Sequence, residues 1–325
     1  MTPAGLYYTP RSYHAYGLVV SCPWDFEFPR ADNSHPDIIV RDWTAQDEPR
    51  PPLLRGWGQP KVGVSADGAD YVRWDDLFEF LISSDGRQIL VHTFGEVDLA
   101  ALEVYLFGAV LSFSLIKLGW DPMHATVVVV DGRGVALMGQ PGEGKSTLAA
   151  RFLAEGNRVL TDDLLVMDKD DDGFLGRSGL PRLKLNADSF ERLAPDLDAV
   201  GTTNPLSGKM VLKLTDSMFE TTAIPIVKLY KVEPAAREAL PASRLISGAD
   251  GFSALTQNVF NSVVTAPARL TRQLAFAEEV CGSVPIAELI VPRDFDRLPE
   301  MVAFIQEDAR GSPGRLAPRP PVVAT

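Results

Sequence analysis

Short runs in which apolar and polar residues alternate dominate the first 95 positions. Tyr16 to Ser21 (YGLVVS), Ile38 to Arg41, Tyr71 to Trp74, Phe78 to Ser83 and Gln88 to Thr93 each read as a strand. Asp85-Gly86 separates the last two and is a hairpin signal. Residues 1–12 read as a loose leader. Residues 47–60 carry four prolines and two glycines and read as loop. The period then changes. Leu99 to Leu118 (LAALEVYLFGAVLSFSLIKL) is apolar nearly throughout and of the length that spans a bilayer. Glu103 and Lys117 inside it are costly against lipid, so the run is read as a buried helix.

Past that helix the chain alternates strand and helix. Strands are expected at Ala125 to Val130 and Val135 to Met138, joined by the tight turn Asp131 to Gly134. A glycine-bearing loop, Gly139 to Gly144, leads into a helix over Lys145 to Ala154. Further strands are expected at Arg158 to Leu160, Leu164 to Asp168, Arg182 to Leu185, Met210 to Leu214 and Ile226 to Val232, with helices at Arg269 to Cys281 and Leu298 to Ala309. Residues 310–325 hold four prolines without apolar period and read as a disordered tail. The fold class is mixed α/β. The division expected is a β-rich domain over 1–95, a catalytic domain over 96–309 and the tail over 310–325.

Composition narrows the function. Of 325 residues, 46% are hydrophobic and 23% charged, the mix of an ordinary globular chain. The net charge of −12 argues against a nucleic-acid partner. Two distant cysteines, Cys22 and Cys281, give no disulfide or zinc framework. The N-terminus lacks a basic stretch followed by an apolar run, so no secretory signal is read, no membrane partner is expected, and the compartment expected is cytoplasmic.

The chemistry concentrates in Gly139-Gln140-Pro141-Gly142-Glu143-Gly144-Lys145-Ser146-Thr147, a full G-x-x-x-x-G-K-[ST] phosphate loop between an apolar strand and an amphipathic helix. Glycines let backbone N–H groups turn inward around phosphate oxygens, and the helix N-terminus adds positive field. Lys145 brings a cation to the β- and γ-phosphates, and Ser146 offers a hydroxyl to Mg²⁺. Asp162 and Asp163 follow the next strand, Asp162 lying 17 residues after Lys145. A strand, helix and returning strand bring this pair to the sheet edge that carries the loop. One carboxylate can hold Mg²⁺ and the other accept a proton from an attacking hydroxyl; their proximity raises one pKa. His124, 15 residues before Gly139, starts the strand leading to the hairpin that precedes the loop and is a candidate for a supporting role. Lys209 and Arg182 are candidates for contact with substrate or γ-phosphate. Asp168 to Gly173 imitates an EF-hand start, but Gly179 stands where the closing Glu is required, and a solvated hairpin turn is the reading.

His124, the phosphate loop and the acid pair at these spacings, within HATVVVVDGRGVALMGQPGEGKSTLAARFLAEGNRVLTDDLLVM, resemble the catalytic domain of HPr kinase/phosphorylase and its related serine kinases. A weaker likeness continues through GLPRLKL and VPRDFDRLPEMVAFI. The resemblance implies a P-loop kinase domain of the HPr kinase and phosphoenolpyruvate carboxykinase type, ATP and Mg²⁺ as cofactors, and transfer of phosphate to a serine hydroxyl of a peptide or protein. It implies Gly139 to Thr147 as the phosphate site, Asp162 as base, Asp163 as helper with metal or substrate, His124 as support for Asp162, and a homo-oligomer. No IEIRG-like segment follows, and the first 95 residues do not resemble the family's N-terminal domain. Shorter relatives of this type phosphorylate a serine in ribosomal peptide natural-product precursors, which is the specific substrate expected. Two further readings stay open: a small-molecule kinase on the same fold, and a nucleotide-binding regulator without transfer.

Overall fold

The computed structural model describes residues 10–31, 35–47, 49–53, 60–96, 98–193, 201–203 and 208–311. These fall into two compact units, divided between Trp120 and Asp121. The expected boundary at 95/96 is therefore displaced: the long apolar helix belongs to the first unit, because its apolar faces are buried there. The expected tail lies almost wholly outside the described residues.

The first unit is built on a seven-stranded sheet. Its strands are β1 (Arg11–Ala15), β2 (Leu18–Cys22), β3 (Ile38–Asp42), β4 (Lys61–Val64), β5 (Asp70–Trp74), β6 (Phe78–Ile82) and β7 (Gln88–Thr93), in the order β1-β2-β3-β7-β6-β5-β4. Two expectations are corrected. Residues 11 and 12 belong to a strand rather than to a leader, and Tyr16 belongs to a turn rather than to a strand. Tyr16 and Gly17, both at positive φ (53° and 74°), form the two-residue connection that lets Ala15 pair with Leu18. The helix Leu99–Lys117 is capped by Asp98, whose side chain accepts from the Ala100 N–H, and contains a π-type turn at Leu106–Val110. By length and composition it is apolar enough to cross a membrane. Leu102, Phe107 and Leu115 are nevertheless buried, and Lys117 pairs with Asp70 at 3.0 Å while donating to the Gly68 carbonyl at 2.7 Å.

The second unit carries a nine-stranded mixed sheet. Its path is β10 (Arg158–Thr161), β8 (Met123–Val130), β9 (Arg133–Met138), β17 (Ile224–Ala235), β13 (Gly173–Gly176) and β12 (Met167–Asp170). β11 (Leu164–Leu165) pairs with β8, β19 (Ile286–Pro292) with β17, and β18 (Ala242–Ile246) with β19. A smaller sheet joins β14 (Arg182–Leu185), β16 (Met210–Lys213) and β15 (Gly201–Thr203). Alternation along β8 sorts its side chains between two cores. Val128 and Val130 pack with Leu148, Phe152, Met301 and Ile305 of the helices Lys145–Ala154 and Leu298–Arg310. Val127 and Val129 pack with Leu255, Ala277 and Val280 of the helices Gly248–Gln257 and Pro267–Ser283. The EF-hand look-alike is the β12–β13 hairpin turn, as expected. The mixed α/β class with a β-rich N-terminal region is as expected.

Candidate active site

Strand direction gathers the site. β9 runs parallel to β17 and β17 parallel to β19, so all three end at one edge. β8 runs antiparallel to β9 and therefore starts at that edge, with Ala125 opposite Met138. β10 runs antiparallel to β8 and ends there, with Thr161 opposite Val127. The phosphate loop after β9, the acid pair after β10 and His124 at the head of β8 thus share the carboxyl-end edge of the parallel strands, where ligands bind in open α/β sheets.

The loop is wound by glycine. Gly142 and Gly144 sit at φ +90° and +99°, and Gly144 hands directly into the helix Lys145–Ala154. The Gln140 N–H donates to Glu143 Oε2 at 2.5 Å. Lys145 is 5% exposed and folds back over the loop, donating from Nζ to the Gly139 and Gln140 carbonyls at 2.7 and 3.0 Å. Burial pushes its ammonium below the ordinary lysine value, while Asp163, Asp162 and Glu143 pull the other way. Thr147 exchanges a hydrogen bond with Ser189 at 2.8 Å, tying the loop to the helix Ala187–Leu193.

The two aspartates point apart. Asp163 takes a left-handed backbone (φ +66°), which Asp tolerates better than most residues. Asp162 turns inward. Its Oδ1 accepts from the Thr126 hydroxyl at 2.8 Å and the Ser146 hydroxyl at 3.2 Å, and its Oδ2 accepts from the Lys184 N–H at 2.9 Å. Burial, then the neighbouring Asp163 charge, raises the Asp162 carboxyl above its ordinary value. Asp163 faces outward. Its Oδ2 meets the Lys184 ammonium, and its Oδ1 lies 3.7 Å from His124 Nε2. Burial alone would raise its carboxyl, but Lys184 and His124 outweigh burial and hold it well below the ordinary value.

Two cavities flank the loop. One, of about 210 Å³, is lined by His124, Lys145, Ser146, Asp163, Lys184 and Lys209 among others. The other, of about 300 Å³, is lined by Glu143, Leu148, Asp188, Pro234, Phe295 and Leu298 among others. Gly142, Gly144, Thr147 and Asn186 border both.

Sequence reasoning expected His124 beside Asp162 and Asp163 beside the metal-binding serine. The geometry exchanges the partners: His124 lies against Asp163, and Ser146 against Asp162. The left-handed turn at Asp163 is the reason, because it sends successive carboxylates in different directions. Lys209 lines the smaller cavity; Arg182 is buried and does not. Lys184 was missed. It contacts both carboxylates, but from the smaller sheet, and no local signal in RLKL marks it.

Two oxygen donors from the chain, the Ser146 hydroxyl and Asp162 Oδ1, stand close enough to share one hard cation. Mg²⁺ is typically held by one or two carboxylates plus substrate phosphates, so this donor set fits it. Among the described residues no group of three or more His, Cys, Asp or Glu forms a self-sufficient metal cage.

No family model matches the chain. A 55-residue stretch is 40% identical to the HPr kinase/phosphorylase of Lachnoclostridium phytofermentans, covering 17% of this chain and 18% of that protein. The match therefore reaches less than a fifth of that relative's length. The HPr(Ser) kinase/phosphatase from Coxiella burnetii superposes with a TM-score of 0.32 at 12% identity, over 58% of this chain and 99% of that one. The resemblance read from the motif is borne out over that stretch, which is similar to HPr kinase/phosphorylase.

Proposed function

We propose that the chain is an ATP-dependent serine kinase that transfers the γ-phosphate to a hydroxyl of a peptide or protein. One observation carries this reading: two cavities that share Gly142, Gly144, Thr147 and Asn186 border the same glycine-rich loop. The larger, at the ends of β17 and β19, has the size for a nucleoside and a mixed lining in which Leu148, Phe295 and Leu298 offer apolar surface and Asp188 and Asn186 polar groups. The smaller brings Lys145, Lys184 and Lys209, the Ser146 hydroxyl and the His124–Asp163 pair together beside the loop, where a γ-phosphate would lie.

In the reaction, the acceptor oxygen attacks phosphorus in line. A new O–P bond forms, the bond from γ-phosphorus to the β-bridging oxygen breaks, and the nucleoside diphosphate departs with that electron pair. Lys145 and the loop N–H groups stabilise the equatorial oxygens. Asp163, which lines the acceptor-side cavity, accepts the hydroxyl proton. Its low proton affinity suits a loose transition state, in which the proton leaves late. His124 orients Asp163, and Lys184 is near enough to exchange its carboxylate partner for the transferring phosphoryl group. Ser146 and Asp162 would hold Mg²⁺, which when bound offsets charge on the phosphates. Asp162 is the poorer base, because Thr126, Ser146 and the Lys184 N–H occupy its oxygens.

The substrate proposed is the serine of a ribosomal peptide natural-product precursor, a homo-oligomer is the assembly proposed, and the compartment is cytoplasmic. The test is purified protein with γ-labelled ATP, Mg²⁺, a serine-bearing peptide library and a metabolite mixture. Label in peptides that is lost with Asp163→Asn upholds the reading. Label confined to a small molecule makes the chain a small-molecule kinase, and nucleotide binding without transfer to either pool makes it a regulator.

A further inference from the structure

His124 is held from outside its own sheet. His124 is the second residue of its strand, where a side chain has little sheet on one side. The missing wall is the segment 258–264, which follows the helix Gly248–Gln257. The His124 N–H donates to the Asn258 carbonyl at 2.6 Å, the Phe260 N–H donates to the Pro122 carbonyl at 2.8 Å, and Met123 bridges to Val259. The Phe260 ring stands edge-on to the imidazole, centroids 5.9 Å apart and planes at 77°. Backbone and ring thus fix where the imidazole sits relative to Asp163.

This segment is short, includes Asn261 at φ +52°, and is gripped from one place. Arg269, on the helix Pro267–Ser283, is 3% exposed. Its guanidinium donates to the Phe260 carbonyl at 2.7 Å, the Val264 carbonyl at 2.9 Å and the Asn261 carbonyl. Its Nε donates to Asp121 Oδ1 at 3.2 Å, and Arg272 Nε donates to Asp121 Oδ2 at 2.8 Å. Asp121 lies just before the strand that carries His124, so one ion pair ties that strand's start to the carbonyls of the wall beside it. A planar fork with several fixed donors can hold three carbonyls and a carboxylate at once; a lysine ammonium cannot.

We infer that Arg269 is a positioning residue for His124: through Asp121 and the 260–264 carbonyls it sets the Phe260 wall that orients the imidazole toward Asp163. The inference rests on the kinase reading for its consequence, but its geometry can be tested apart from it. Arg269 touches no substrate; it acts through Phe260 and the segment backbone.

The test uses the full chain and the imidazole carbon–proton signals of its four histidines, with His124→Gln assigning one of them. In Arg269→Gln the His124 signal should shift and broaden as the Phe260 ring current is lost, while those of His14, His35 and His92 stay in place. Arg269→Lys, keeping the charge but not the fork, should shift it less. Phe260→Leu, which leaves the clamp intact, should produce a comparable shift. An unmoved His124 signal in folded Arg269→Gln overturns the inference. Should that variant not fold, Arg269→Lys decides: an unmoved His124 signal there, with Phe260→Leu moving it, overturns the inference. In the transfer assay Arg269→Gln should lower kcat by about 10- to 100-fold, the scale of a small misplacement of catalytic groups, with the KM for ATP unchanged. A wild-type protein that transfers no phosphate would sink the kinase reading, while the histidine signals would still decide whether Arg269 positions His124.

Discussion

Ser146 and Asp162 face each other across 3.2 Å, the serine hydroxyl donating to the carboxylate, while the carboxylate of Asp163, one residue on, meets Lys184 and His124 instead. Adjacent acids in the sequence therefore hold different partners, and on the proposed reading they have separate roles. Asp163→Asn should leave Mg²⁺-nucleotide affinity within about twofold and lower the rate roughly 10²–10⁴-fold, the usual range for a positioned base. Asp162→Asn should instead raise the Mg²⁺ concentration needed for half-maximal rate. Titrating rate against Mg²⁺ for both variants separates the two. If Asp162→Asn keeps the wild-type Mg²⁺ dependence and Asp163→Asn loses it, the assignment is reversed.

Lys145 gives a prediction in which binding and stability move differently. Its ammonium is buried against the Gly139 and Gln140 carbonyls, and burial lowers its pKa, so holding that charge inside is costly. Lys145→Met keeps the length and removes the charge. Nucleotide binding should fall at least tenfold by calorimetry, because the cation for the phosphates is gone. The melting temperature should stay level or rise by a few degrees. A fall of more than about 5 °C, on the order of 3 kcal/mol for a chain of this size, would mean that the lysine holds the empty loop together.

What could be read in the sequence was whatever local chemistry fixes. The helix Lys145–Ala154 begins where the glycines stop and was found to the residue. The Asp131-Gly132 turn and the β12–β13 turn were equally plain, since short polar turns between apolar runs follow from local propensity. Elements stabilised by distant partners were missed. β19 is apolar but gains its place from two neighbouring strands, and β18, largely exposed, has no apolar period of its own. The partners of the acid pair were misassigned because spacing brings two residues to an edge without saying which way each points. That was set by one backbone angle at Asp163, and Lys184 enters from another sheet.

In the first unit, Gly86 closes the β6–β7 hairpin at φ +74°, where an added Cβ would come within 2.9 Å of the Ser114 carbonyl and 2.8 Å of Lys117 Cβ. Left-handed backbone costs a non-glycine residue roughly 1–2 kcal/mol, and the approach of helix backbone adds to it. Gly86→Ala should destabilise by at least about 1 kcal/mol in chemical denaturation. Gly95→Ala is the control. Its φ is +86° with no atom within 4 Å of the added Cβ, so it should cost only the backbone part. Equal costs would show that the helix does not press on the hairpin.

Asp308 is one carboxylate on which the acid stability of the second unit depends. It accepts from Lys228 Nζ at 2.7 Å, from the Tyr230 hydroxyl and from the Ser243 hydroxyl at 2.9 Å, joining the helix Leu298–Arg310 to β17 and β18. Burial works to raise its pKa, but these donors outweigh burial and hold the carboxyl below the ordinary value. A carboxyl depressed in the folded state binds its proton more readily when unfolded. Its stabilisation is therefore complete above the unfolded value, about 3.9, and is lost as pH falls through the folded value. Asp308→Asn should lower stability at pH 7 by about 3 kcal/mol, because Lys228, only 5% exposed, is left without its counter-charge. The gap between wild type and variant should close on acidification below about pH 4. Urea unfolding at a series of pH values measures it. A gap that stays constant to pH 2 would mean that Asp308 acts by packing rather than by charge.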